Sequence, residues 1–134
     1  DKSSGDAGDV DTVITTLKLQ NGALAVIDNS RRAVYGYDQR IEAFGSKGSI
    51  SAENILGTNT VLMTEEGVQT DKPLYFFLER YKESFWNEIR EFIYAVRKDN
   101  NPVVSGKDGL MSTKVGLAAK QSLESNKPVK IRYG

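Results

Sequence analysis

The chain has 134 residues, no cysteine and no histidine, and its 18 basic and 18 acidic side chains cancel to zero formal net charge. This length is suited to one domain with one hydrophobic core. The balanced charge provides no global field that would attract nucleic acid or an anionic membrane surface. The composition also excludes disulfides, thiolate nucleophiles and histidine, the commonest general base and metal ligand.

The first nine residues are polar and glycine-rich, and they predict a flexible N-terminal segment (1–9) in front of a domain that covers residues 10–134. The segment lacks the apolar stretch of a signal peptide, and the chain does not begin with methionine, so we expect it to be part of a longer polypeptide. No run of about 18 apolar residues predicts a membrane span. A cysteine-free composition fits the reducing cytoplasm, which is the location we predict.

Residues 10–70 predict short strands joined by tight turns. Val10–Leu19 alternates with a period of two, Asn21-Gly22 predicts a type I′ hairpin turn, and Leu24–Asn29 predicts the returning strand. Further strands are predicted over residues 39–44, 49–52, 60–64 and 68–70. The short connections favour an antiparallel arrangement, because parallel neighbours need crossovers of about a dozen residues or more.

The last third of the chain predicts two helices and a closing strand over residues 128–132. Apolar residues three or four positions apart predict one helix of about 20 residues, from Pro73 to near Asp99. A second helix is predicted from about Ser105 to Ser125. Its expected buried side consists of Leu110, Val115, Leu117, Ala118 and Leu123.

Together these elements predict an α+β fold: an open-faced, mainly antiparallel sheet of about five or six strands with both helices packed on one face. The uncovered face would carry either Thr12, Ile14 and Thr16 or the alternate set Val13, Thr15 and Leu17, since one residue of register exchanges the two faces. A broad, semi-apolar face predicts self-association, as a dimer or tetramer, or packing against another domain.

The densest polar and aromatic cluster lies in residues 29–40. Its tyrosine hydroxyls and arginines are suited to binding a polyhydroxylated ligand, although a solvated strand edge would have the same composition. Gly45–Ser49 lacks the full phosphate-loop pattern and predicts a hairpin turn. The acidic residues near the N-terminus and at 65–66 do not have calcium-loop spacing, so no metal site is predicted.

Several motifs resemble the inositol dehydrogenase branch of the glucose-fructose oxidoreductase family, in its C-terminal domain. They are Leu24–Arg31, the run Tyr35-Gly36-Tyr37-Asp38-Gln39-Arg40, and the run from Asp71 to Tyr81. The entry to the second helix, Val104–Gly109, is typical of the wider family. The resemblance extends from about residue 8 to residue 131.

The resemblance implies that this chain is the substrate-side and oligomerisation domain of an NAD-dependent inositol or polyol 2-dehydrogenase, a homotetramer. The N-terminal Rossmann domain, which is absent from this chain, would carry NAD and the proton-transfer residues. Neither catalytic nor cofactor-binding residues are therefore expected here, and the chain alone is expected to be inactive and to bind no NAD. Tyr37, with Tyr35 near it, would contact the polyol, and Tyr81 would reach the pocket of a neighbouring subunit. Two alternatives remain open: a free-standing ligand-binding or interaction domain, and a related dehydrogenase with another sugar as substrate.

Overall fold

The computed structural model describes residues 2–132, which divide into two compact units at residues 85 and 86. The first unit contains a short helix α1 (Lys2–Asp6), six strands, a short helix α2 (Phe77–Arg80) and the start of helix α3 (Lys82–Lys98). The strands are β1 (Thr12–Lys18), β2 (Leu24–Ser30), β3 (Ile41–Gly45), β4 (Gly48–Ala52), β5 (Val61–Thr64) and β6 (Gly67–Thr70). The second unit contains the rest of α3 and helix α4 (Gly106–Ser125).

The β1–β2 hairpin confirms the first predicted strand pair. The strands are antiparallel, with Thr12 opposite Ser30 and Lys18 opposite Leu24. Burial along β1 alternates, and the exposed residues are Thr12, Ile14, Thr16 and Lys18. Of the two faces that the alternation left open, the one with Thr12, Ile14 and Thr16 is therefore the uncovered face.

The turn between β1 and β2 differs from the predicted type I′ turn. The Gly22 N–H donates to the Leu19 carbonyl at 3.0 Å, and the Leu19 N–H donates to the Ala23 carbonyl at 2.8 Å. Gly22 has a φ of 90°, whereas Asn21 does not have a positive φ. A type I′ turn needs positive φ at both residues, so the loop is instead a three-residue turn that ends in a glycine bulge.

The remaining strands form two more antiparallel hairpins, β3–β4 and β5–β6. Within residues 2–132 the strands make three separate two-stranded sheets. The predicted mixture of helices and antiparallel strands is confirmed, whereas the single open sheet of five or six strands is not found in this part of the chain, because no common sheet joins the hairpins. The position of each turn was predictable from local residues, whereas pairing between hairpins depends on contacts that local sequence does not specify.

The predicted helix from Pro73 is interrupted. Helix α2 ends at Arg80, the next residue, Tyr81, has a φ of −106° and a ψ of 12° that are not helical, and α3 begins at Lys82. Helix α3 ends at Lys98, close to the predicted position, where Asp99 has a left-handed φ of 54°. Ala95 is the only buried residue of α3, and the apolar residues Phe85, Ile89, Phe92 and Val96, which follow the three- or four-residue spacing, are exposed.

Helix α4 confirms the predicted second helix. Ser105 and Asp108 form a capping box at its start, and Asn126 ends it in a left-handed conformation. Val115 and Ala118 are half-buried as expected, but Leu110, Leu117 and Leu123 are exposed. Residues 128–132 form no strand in the described chain, which corrects the predicted closing strand.

Two further observations concern the helices. The N-terminal segment, for which no element was predicted, contains α1, a helix of five residues. None of the helices in the described part of the chain is long and apolar enough to cross a membrane.

Candidate functional site

The irregular segment between β2 and β3 is held together by the Asp38 carboxylate. Asp38 has a side chain that is 16% exposed and accepts hydrogen bonds from the Tyr35 hydroxyl and from Asn54 Nδ2, the latter at 2.8 Å. Arg40 donates to both carboxylate oxygens, through Nε at 2.7 Å and Nη2 at 2.9 Å. A carboxylate has about four acceptor positions, and these donors together occupy all of them. We call Tyr35, Asp38, Arg40 and Asn54 the Asp38 brace.

The backbone beside the Asp38 brace is fixed from two neighbouring segments. The Gln39 N–H donates to Asn54 Oδ1 at 2.8 Å. The Tyr37 N–H donates to the Leu74 carbonyl at 2.8 Å, and the Leu74 N–H donates to the Ile55 carbonyl at 3.1 Å. Residues 37–39 therefore lie against both the 54–55 loop and residue 74, which restricts the directions available to the Tyr37 and Gln39 side chains.

Gly36 allows this close packing. It is buried and has a φ of 140°. A Cβ atom at this position would lie 2.6 Å from the Pro73 carbonyl oxygen and 3.2 Å from the Leu74 carbonyl oxygen. Only glycine combines such a φ with the absence of a side chain, so the approach of the two segments depends on it.

Tyr81 lies at the break between α2 and α3 and contacts the same segment. Its hydroxyl donates to Gln39 Oε1 at 2.6 Å. Its ring meets the Tyr37 ring edge-on, with centroids 5.4 Å apart and an interplanar angle of 81°. Phe85 makes a second edge contact at 6.2 Å, and the Arg80 guanidinium carbon lies 5.4 Å from the centroid of the Tyr81 ring. The Tyr81 backbone is not helical, so its side chain does not have to follow the face of α2 or α3 and is oriented by these contacts.

The electrostatics of the cluster favour hydrogen bonding over proton transfer. The hydrogen bond to Asp38 raises the pKa of Tyr35, and burial, followed by the neighbouring Tyr37, raises the pKa of Tyr81. Hydrogen bonds from Arg40, Tyr35 and Asn54 hold the pKa of Asp38 well below its usual range. At neutral pH both hydroxyls are therefore protonated and the carboxylate is ionised. None of these groups has a pKa suited to general acid–base catalysis near pH 7.

The structure brings together two of the three tyrosines that the resemblance nominated. Tyr37 and Tyr81 contact each other within one chain, whereas the Tyr35 hydroxyl is directed to Asp38. Gln39 and Asn54 were not singled out from sequence. Gln39 lies two residues from Tyr37, a spacing that places side chains on one side of an extended chain, so its position could have been noticed. Asn54 gave no signal, because its partners are distant in sequence.

The other motifs give no second site. Gly45-Ser46-Lys47-Gly48 forms the two-residue turn of the β3–β4 hairpin, as predicted. Within residues 2–132, no group of acidic side chains is placed to hold a metal ion. At the start of α4, the Asp108 carboxylate accepts from the Ser105 N–H at 2.7 Å, so an acidic side chain already occupies this helix end. Neither the turn nor this helix end fits a dinucleotide phosphate.

Comparison with known proteins identifies the class to which this fold and site belong. The model of the oxidoreductase family, C-terminal alpha/beta domain (Gfo/Idh/MocA), matches residues 1–131. The chain belongs to this oxidoreductase family and corresponds to its C-terminal domain.

The relatives point to one branch of the family. The chain is 54% identical over 131 residues to myo-inositol 2-dehydrogenase of Thermotoga maritima, covering 98% of this chain and 39% of that protein. The crystal structure of a myo-inositol dehydrogenase from Corynebacterium glutamicum superposes with a TM-score of 0.90 at 35% identity, covering 97% of this chain and 39% of that one. The myo-inositol dehydrogenase from Lactobacillus casei, solved in complex with NAD(H) and myo-inositol, superposes with a TM-score of 0.81 at 26% identity. That match covers 94% of this chain and 37% of that one, so the chain spans well under half the length of these relatives.

Proposed function

We propose that this chain is the C-terminal, substrate-side domain of an NAD-dependent inositol dehydrogenase. The complete enzyme, by which we mean the full polypeptide that contains this chain, would oxidise a secondary alcohol of myo-inositol or a closely related polyol. The observation that carries this proposal is the contact of Tyr81 with both Tyr37 and Gln39, which brings two tyrosines and a side-chain amide together beside the Asp38 brace. Family membership and the identity to myo-inositol 2-dehydrogenase support it.

The proposed division of labour follows from the chemistry of the cluster. Oxidation of a secondary alcohol removes a hydride from carbon and a proton from oxygen. NAD⁺, when bound to the complete enzyme, supplies the hydride acceptor. The raised pKa values of Tyr35 and Tyr81 make neither hydroxyl suited to act as a base near neutral pH, and we assign proton removal to polypeptide outside this chain. This chain would bind and orient the polyol, since each ring hydroxyl both donates and accepts hydrogen bonds.

The finer parts of the proposal concern individual residues and assembly. Tyr37 and Tyr81 would contact the polyol, while Tyr35 would act mainly through the Asp38 brace. The exposed face with Thr12, Ile14 and Thr16 would mediate assembly into a homotetramer in the cytoplasm. The chain alone would have no activity, because it provides binding groups without the groups that accept the hydride and the proton.

The proposal is tested by steady-state kinetics of the complete enzyme with myo-inositol and NAD⁺, followed by NADH absorbance. We expect turnover by the complete enzyme and none by the 134-residue chain. Tyr37→Phe is expected to lower kcat/KM about tenfold, which corresponds to the loss of one hydrogen bond. Tyr94→Phe, at an exposed tyrosine of α3, is the matched control. Absence of inositol oxidation, or equal effects of the two substitutions, would refute the proposal.

A further inference from the structure

The hydrogen bond between Tyr81 and Gln39 has a defined direction. A tyrosine hydroxyl has a single proton, and in Tyr81 it is donated to Gln39 Oε1 at 2.6 Å. The Tyr81 oxygen therefore keeps only its two acceptor positions, one of which faces the neighbouring Tyr37 hydroxyl. The Gln39 amide nitrogen keeps its two N–H donors, which meet no protein acceptor among residues 2–132. The two side chains thus combine an acceptor and a donor on neighbouring atoms.

This pair is held in place before any ligand arrives. The Gln39 backbone is tied to Asn54, and the Tyr81 ring is packed against the edge of Tyr37 and next to the Arg80 guanidinium. Tyr81 is half-buried and Gln39 is exposed, so the pair lies at the boundary between the packed cluster and solvent. Groups that are fixed in advance lose little conformational freedom on binding, which increases their contribution to affinity.

We propose that Gln39 is a specificity-determining residue, which together with Tyr81 binds one hydroxyl of the polyol. This inference rests on the proposed function. The bound hydroxyl would donate its proton to the Tyr81 oxygen and accept a hydrogen bond from Gln39 Nε2. A stereoisomer that points this hydroxyl elsewhere would lose both hydrogen bonds to the pair, and water would have to replace them. The pair would therefore discriminate between inositol isomers that differ at one carbon.

Two substitutions separate the functions of the Gln39 side chain. In Gln39→Glu, a carboxylate oxygen still accepts the Tyr81 proton, but the N–H donors are lost. In Gln39→Leu, the donors and the acceptor are both lost, so the Tyr81 hydroxyl is free to rotate. Gln69→Glu, on the exposed strand β6, makes the same chemical change away from the cluster and is the matched control.

The experiment measures KM and kcat of the complete enzyme for myo-inositol and scyllo-inositol with saturating NAD⁺. We expect Gln39→Glu to change the ratio of the two kcat/KM values by about tenfold, through KM, with kcat changed less than about twofold. Gln39→Leu should change the ratio in the same direction, and Gln69→Glu should leave it unchanged. In a Tyr81→Phe background, the effect of Gln39→Glu on the ratio should be much smaller, because the acceptor orientation is already lost.

The outcomes distinguish this inference from the proposed function. If the unsubstituted complete enzyme oxidises neither inositol, the proposed function fails and the inference fails with it. If the enzyme oxidises inositol but both Gln39 variants lower kcat/KM for the two isomers equally, the proposed function stands and the specificity role is refuted. Equal effects of Gln39→Glu in the presence and absence of the Tyr81 hydroxyl would also refute it.

Discussion

Gly36→Ala perturbs the closest backbone approach in the tyrosine cluster. The φ of 140° is unfavourable for alanine and costs about 1–3 kcal/mol. In addition, the new Cβ would meet the Pro73 carbonyl oxygen at 2.6 Å, and this atom is part of the backbone and cannot rotate away. Overpacking of this kind costs about a further 1–3 kcal/mol. We therefore expect the segment around Tyr37 to separate from residues 73–74, with loss of the bond between the Tyr37 N–H and Leu74.

Gly67→Ala is a matched control for the conformational part of this cost. Gly67 has nearly the same φ, 141°, but a Cβ there would meet no atom within 4 Å. Hydrogen exchange of the complete enzyme, read by mass spectrometry on peptides around each site, reports local opening. The steric difference of about 1–3 kcal/mol corresponds to roughly 5- to 150-fold faster exchange in the Gly36 peptide than in the Gly67 peptide, each relative to the unsubstituted enzyme.

The result that contradicts this reasoning is specific. If the two alanine substitutions accelerate exchange of their own peptides equally, the contact with Pro73 contributes nothing beyond the φ preference. The kinetics provide a second check: Gly36→Ala should raise KM for myo-inositol, because it displaces Tyr37, whereas Gly67→Ala should not.

The remaining predictions concern the Asp38 brace and the exposed face of β1. Asp38→Asn removes the charge that orders the brace and should accelerate exchange of the 35–40 backbone about tenfold, whereas Asp28→Asn on exposed β2 should not. Folding lowers the pKa of Asp38, so its carboxylate stabilises the folded state above the pKa of the unfolded chain, and this stabilisation is lost as the pH falls through the folded-state pKa. The exchange rates of the unsubstituted enzyme and of the Asp38→Asn variant should therefore converge in acid. Thr16→Lys should shift the complete enzyme to smaller species in size-exclusion chromatography, and Thr60→Lys, in an exposed loop, should not. Unchanged elution of the Thr16 variant would exclude the exposed face of β1 from assembly.

The hairpins illustrate what local sequence specifies. Glycines at the turns, such as Gly22, Gly48 and Gly67, have positive φ and mark where each chain reversal occurs. Strand limits were therefore predictable to within a few residues. How the hairpins are arranged was not predictable, since the number of strands in a sheet depends on contacts between segments that are far apart in sequence. The type of the first turn was also missed, because Asn-Gly is compatible with more than one hairpin geometry.

The candidate site was predictable only in part, for a related reason. The apolar period of the helical region continues through Tyr81, so periodicity alone predicts an uninterrupted helix. At Tyr81 the backbone leaves the helix, and the side chain bonds Gln39, which is 42 positions away. Likewise, Asn54 connects to Asp38 across 16 positions. Tertiary contacts of this kind override local propensity, and the local sequence around either partner does not predict them.

Two of the hairpins have largely exposed apolar faces. On β3–β4 one face consists of Ile41, Ala43, Ile50 and Ala52, and Ile41 and Ile50 are 71% and 74% exposed. On β5–β6 Met63 and Val68 are paired across the strands and are also largely exposed. A lone two-stranded hairpin is marginally stable at best, and its apolar face stabilises it only when that face is covered. The match covers 39% of the Thermotoga maritima relative, so that protein has further residues outside the matched part. On this argument, the turns of the 134-residue chain are set locally, while the stability of its sheets depends on a covering surface that these hairpins do not give one another.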